Sequence, residues 1–160
     1  MDEPADALTV LLQQRLEDYL DCFRRFDIDG LSTYWDLEEA RPLYIAEEVE
    51  RRMLDHAAIR AYWTGTSKAL ARLWVRSAGH RAALRAPDLA ALDFDMDWAC
   101  RTRAPPDDPP IGGSLQVSAH LRRRGGRWLF VSWVEAPLAP LPWLRRAYRG
   151  AGRAIAGEEG

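Results

Sequence analysis

An α+β fold, with helices in the N-terminal half and long strands in the C-terminal half, is what this chain predicts. Three observations carry that expectation. Leu8, Leu12, Leu16, Tyr19, Phe23 and Phe26 recur at helical spacing and draw one apolar stripe down one long helix. The stretch from Asp88 to Pro137, apart from a Pro-rich break, instead alternates apolar and polar residues, as a strand with two unlike faces requires. Within it, Arg124-Gly125-Gly126-Arg127 supplies the positive-φ residues of a tight hairpin turn.

The elements follow in order. The first helix is expected from the Asp6 to Thr9 region to about Phe26, ended by Asp27-Ile28-Asp29-Gly30 with Gly30 left-handed. A short second helix, Leu31 to Ala40, stops before Pro42. Leu43 to Glu48 reads as a strand. Asp55 caps a third helix, on which Ile59, Tyr62 or Trp63, Thr66 and Leu70 share a face. One strand follows within Leu73 to Leu84, and then the two long strands and the hairpin. Ala104 to Pro110 is a stiff loop between strands, not a domain linker.

A chain of 160 residues fits one domain, and its 48% hydrophobic and 29% charged residues are those of a soluble globular protein. A net charge of −2 gives no bulk attraction to nucleic acid or anionic lipid. The acidic start lacks a secretory pattern, and no apolar run approaches a bilayer span, so a cytoplasmic location is the expectation. Cys22 and Cys100 have no zinc-ligand spacing. Asp93, Asp95 and Asp97 open like a calcium loop, but Trp98 and Ala104 stand where that loop needs Gly and Glu. No metal and no cofactor is expected.

Helix, helix, strand, helix and a meander of long strands resembles the nuclear transport factor 2-like, cystatin-like fold, in particular ketosteroid isomerase and the SnoaL-like polyketide cyclases. The motifs are Tyr19 to Gly30, similar to the isomerase's first helix and its exit, Ala57 to Tyr62, and His120-Leu-Arg-Arg-Arg-Gly125. The resemblance covers about Leu8 to Pro137. It implies a cone in which a strongly bent antiparallel sheet wraps three N-terminal helices around a pocket, with a homodimer formed through the outer sheet face. Residues 1–137 then form the domain. Residues 138–160 are a tail with a short amphipathic helix, Trp143, Leu144, Ala147 and Tyr148 on its apolar face.

The resemblance also assigns candidates. Tyr19 matches the tyrosine that donates to a substrate oxygen as charge develops. Glu47 and Glu48 fall near the strand of the carboxylate base, and strand alternation allows only one of them to face a cavity. Ala119 stands where the isomerase has its second, protonated acid, which argues against ketosteroid isomerisation. Glu135, sharing a face with Val131 and Trp133, is a further proton-transfer candidate, because desolvation among tryptophans raises a carboxyl's pKa. Trp63, Phe94, Met96, Trp98, Val117 and Trp133 are the expected ligand contacts. The opposite face, with Ser114, Gln116, Ser118, His120 and the three aspartates, is the expected subunit surface.

Two functions fit these residues. One is a cavity for a small hydrophobic carbonyl- or hydroxyl-bearing ligand, with proton transfer of isomerase, cyclase or dehydratase type. The other is a non-catalytic homodimeric association or ligand-binding module. Bulky Trp and Phe residues serve a pocket wall and a core plug equally well, so the residues alone leave the choice open.

Overall fold

The computed structural model describes residues 7–49, 51–105 and 108–139, with Pro142, Arg145 and Arg146 beyond them. The apolar face of the expected tail helix, Trp143, Leu144, Ala147 and Tyr148, therefore lies outside the described residues. Helix α1 spans Ala7–Arg24 and buries Leu12, Leu16 and Tyr19 of the predicted stripe, together with Leu20. Its exit differs from the expectation. The left-handed residue is Phe26 (φ 55°), and Asp27 N–H closes back on the Cys22 carbonyl at 2.9 Å. Asp27 then caps α2 (Ile28–Ser32), its carboxylate accepting from Gly30 N–H at 2.8 Å. Gly30 sits inside that short helix for a different reason. A Cβ there would stand 2.3 Å from Asp27 Oδ2 and 2.9 Å from Cys22 Sγ. The second helix is thus shorter and earlier than Leu31 to Ala40. Helix α3 (His56–Ala69) starts at Asp55, which accepts from Ala58 N–H at 2.7 Å, as the sequence suggests.

Five strands follow or interleave: β1 (Leu43–Ile45), β2 (Leu70–Ala86), β3 (Leu89–Thr102), β4 (Ile111–Arg124) and β5 (Arg127–Pro137). They form one sheet in the order β1-β5-β4-β3-β2. The sheet is mixed rather than wholly antiparallel, because the short β1 runs parallel to β5. The Gly125-Gly126 turn has φ of 57° and 78°, the left-handed pair that a two-residue hairpin needs.

Two of the register shifts in the sheet bear on the core. One lies in β2 between Ala78 and Arg81, where Gly79 is left-handed (φ 66°). The second inserts Val131 into β5, since His120 pairs with Ser132 but Leu121 pairs with Phe130. Such an extra residue bends the strand and shifts which side chains face inward. Trp128 and Phe130 are buried before the bulge, and Trp133 after it. Phe130 and Trp133, of opposite parity, therefore reach the same core.

That core lies between α1, α3 and the concave face of the sheet. Tyr19 is its hub, with the rings of Phe23, Tyr34, Trp63, Phe130 and Trp133 centred 4.9–6.5 Å away. Phe94 and Met96 point into it, while Asp93 and Asp95 face solvent. The register of β3 is the one the alternation predicts. On the outer face Ser118 donates to Asp93 at 2.7 Å, Ser114 donates to Asp97 at 2.6 Å, and Arg76 pairs with Asp97 at 2.9 Å. Among the described residues, no helix is long and apolar enough to cross a membrane.

Candidate functional site

Between α1, α3 and the sheet lies a cavity of about 320 Å³, at the lower end of the range for small-molecule pockets. Leu20, Tyr44, Leu115 and Trp133, all almost fully buried, make its depth. Val75, Met96, Trp98 and Cys100 make one wall, and Tyr62, Thr66 and Phe23 another. Ala69, Ile111 and Glu48, which also line it, are exposed, so the cavity opens to solvent there.

Two carboxylates line this apolar space, Glu48 and Glu135. Glu135 is half-buried near the end of β5 and follows Trp133 on the inward parity set by the Val131 bulge. Its Oε1 accepts from Trp133 Nε1 at 2.7 Å and its Oε2 accepts from Glu47 N–H at 3.0 Å. Burial pushes the carboxyl up to about 7 against the pull of those two hydrogen bonds, and the charges of Glu48 and Glu47 add to the rise. Both protonation states are therefore populated near neutrality, which suits a group that takes and returns protons.

Strand β1 ends at Ile45, and Glu47 and Glu48 lie in the turn beyond it. Alternation does not apply in a turn: Glu48 lines the cavity, and Glu47 lies beside it, outside the lining. Glu47 Oε1 accepts from Trp98 Nε1 at 2.7 Å, and desolvation raises its carboxyl from the ordinary value. Glu48 Oε1 accepts from the Tyr62 hydroxyl at 2.5 Å. Burial, together with the charge and hydrogen bond of Glu48, raises the Tyr62 phenol far above its usual range and keeps it a neutral donor. The turn is thereby fastened at three points, to β5, β3 and α3.

Tyr19 does not line the cavity. Its ring is fully buried in the aromatic core, and its hydroxyl accepts from Trp35 Nε1 at 3.5 Å. Burial raises its pKa far above that of a free phenol. Trp63, Phe94 and Val117 are likewise packed in the core and absent from the cavity wall, whereas Met96, Trp98 and Trp133 do line it. Ala119 is wholly buried, with no acid in its place. The phenols on the cavity wall are Tyr44 and Tyr62, neither singled out by the sequence. Tyr62 adjoins Trp63 in a helical run, and an apolar stripe one residue wide does not say which of the two faces open space. Among the described residues no group of His, Cys, Asp and Glu side chains is arranged to hold a metal.

A helical N-terminal half, a mixed bent sheet and a cavity between them are shared with many solved structures. A nuclear transport factor 2-like superfamily protein from Salmonella enterica superposes with a TM-score of 0.72 at 12% identity, over 83% of this chain and 92% of that one. This is the nuclear transport factor 2-like fold. A ketosteroid isomerase-like protein from Erwinia carotovora matches with a TM-score of 0.67 at 11% identity, over 84% of this chain and 99% of the other. A protein from Novosphingobium aromaticivorans, provisionally named a scytalone dehydratase, gives 0.71 at 9% identity, over 80% and 82%. No protein-family model matches the chain, and no curated protein matches its sequence. At these identities the likeness establishes the fold alone.

Proposed function

We propose that the cavity binds a small hydrophobic ligand carrying a carbonyl or hydroxyl group and that Glu135 moves a proton on it. The single observation that carries this reading is Glu135 itself, a half-buried carboxyl titrating near 7 on the wall of an apolar cavity. Burying a carboxylate among aromatic rings is costly unless a proton, a donor or a ligand accompanies it, and among the described residues Glu135 has two donors, Trp133 Nε1 and Glu47 N–H.

In this reading the Glu135 carboxylate takes a proton from the carbon beside a carbonyl. The C–H electrons move toward the carbonyl, whose oxygen takes up the enolate charge. Glu135 then returns the proton to another carbon, an isomerisation. Alternatively it delivers the proton to a departing hydroxyl that leaves as water, a dehydration. The isomerase-like and dehydratase names among the structural neighbours agree with this class of chemistry. Tyr19, the oxygen-binding candidate by resemblance, acts at most as support for the rings behind the cavity. With alanine at position 119 the second acid of a ketosteroid isomerase is missing, so steroid isomerisation is not the expected activity.

The test is solvent deuterium uptake by a small bicyclic ketone such as β-tetralone, followed by mass spectrometry in heavy water. The wild-type protein should accelerate uptake at the carbon beside the carbonyl, and Glu135→Gln should lose about a hundredfold or more of that rate. Binding of the ketone without any Glu135-dependent exchange would leave a ligand-binding module with no enzymatic activity.

A further inference from the structure

The cavity is acidic, a property that narrows its ligand, and the argument rests on the reading of the cavity as a ligand site. Among the described residues its lining holds Glu48 and Glu135 and no arginine, lysine or histidine. Glu47 stands next to them, held by Trp98. The ion pairs among the described residues involve Glu17, Asp21, Asp29, Asp36, Glu38, Glu39 and Asp97, and none reaches these three glutamates. In a chain with 22 basic residues, three neighbouring carboxylates with no partner cation among the described residues favour a ligand that brings positive charge. The rings of Tyr62, Trp98, Tyr44 and Trp133 share the same walls. Aromatic faces attract a cation, most strongly where water is excluded. An anionic ligand would meet carboxylates and ring faces, both repulsive to it.

We infer that the natural ligand is a hydrophobic amine, entering with its ring system toward Trp133 and Leu115 and its ammonium held at the mouth by Glu48 between Tyr62 and Trp98. Glu48 suits this role better than Glu135. It is the exposed carboxylate of the lining, and a strongly hydrated ammonium kept at the mouth need not shed all of its water. The Tyr62 hydroxyl fixes the Glu48 carboxylate in place before the ligand arrives. Glu135, deeper on the wall, remains free to exchange a proton with the buried part of the same molecule. The ligand class becomes an aromatic or alicyclic amine that also bears a carbonyl or hydroxyl group.

The experiment is calorimetric titration of the full chain with three probes of one shape: naphthylmethylamine, naphthylmethanol and naphthoate. It is run at low salt and about pH 8, where an alkylamine is protonated. The amine should bind about tenfold or more tighter than the alcohol, and the naphthoate weaker than either. Glu48→Gln should bring the amine within about threefold of the alcohol in the same variant. Equal affinities for amine and alcohol in the wild type, or a preference that survives Glu48→Gln, would overturn the inference while leaving a neutral hydrophobic ligand in place. Failure of all three probes to bind would remove the cavity reading, and this inference with it.

Discussion

The proposed chemistry rests on Glu135, and the environment of that side chain has a consequence for stability. A carboxyl raised from about 4.5 in the unfolded chain to about 7 in the folded one binds its proton more tightly when folded. Stability from this group is therefore fully present below the unfolded value and is lost as pH rises through the folded one. At about 1.4 kcal/mol per pH unit, wild type should lose up to about 3 kcal/mol relative to Glu135→Gln between pH 4.5 and 7. Denaturant unfolding of the two proteins across that range measures the difference, and parallel curves would contradict it. The sequence made Glu135 legible because desolvation beside tryptophans is a local property of Val131-Ser-Trp133-Val-Glu135. It made Tyr19 a misleading candidate. A tyrosine on an apolar stripe looks the same whether its hydroxyl meets a ligand or, as here, the Trp35 indole. Tyr62 and Tyr44 were not legible as cavity residues, because their exposure to open space depends on how α3 and β1 sit against β5.

At the scale of elements, the two tryptophans of the cavity should behave differently. Trp133 is 1% exposed and touches the rings of Tyr19, Tyr44, Phe94 and Phe130. Trp98 is half-buried on the cavity wall, with its indole tied to Glu47. Trp133→Ala should cost about 3–5 kcal/mol, the range for a fully packed ring, and Trp98→Ala clearly less, under about 2 kcal/mol. Equal losses in denaturant unfolding would mean that the cavity is closed by packing around Trp98. Helix α1, α3 with its Asp55 cap, the β3 register and the Gly125-Gly126 hairpin were all legible from periodicity and turn chemistry. The β5 bulge was not. An alternating pattern offers Phe130 or Trp133 to the core, and only the insertion at Val131 delivers both. The parallel pairing of β1 was equally hidden, since three residues carry no signal of their partner or direction.

At the scale of the whole molecule, helices followed by long strands with one apolar face sufficed to identify the fold, which neither a protein-family model nor a curated relative identifies. The outer sheet face pairs some of its polar groups across strands, Ser114 with Asp97 and Ser118 with Asp93. Groups paired in this way can enter an interface without stranding donors. The chain should sediment as a homodimer at micromolar concentration, and a monomer there would contradict assembly through this face. The central claim is that folding creates a proton-exchanging carboxyl on the wall of an open apolar cavity. Its most direct test is a carboxyl-carbon NMR titration of Glu135, assigned by its absence in Glu135→Gln. The account predicts a midpoint near 7. A midpoint at the ordinary glutamate value, about 4.3, would mean that Glu135 is solvated like any surface carboxylate and would contradict the account.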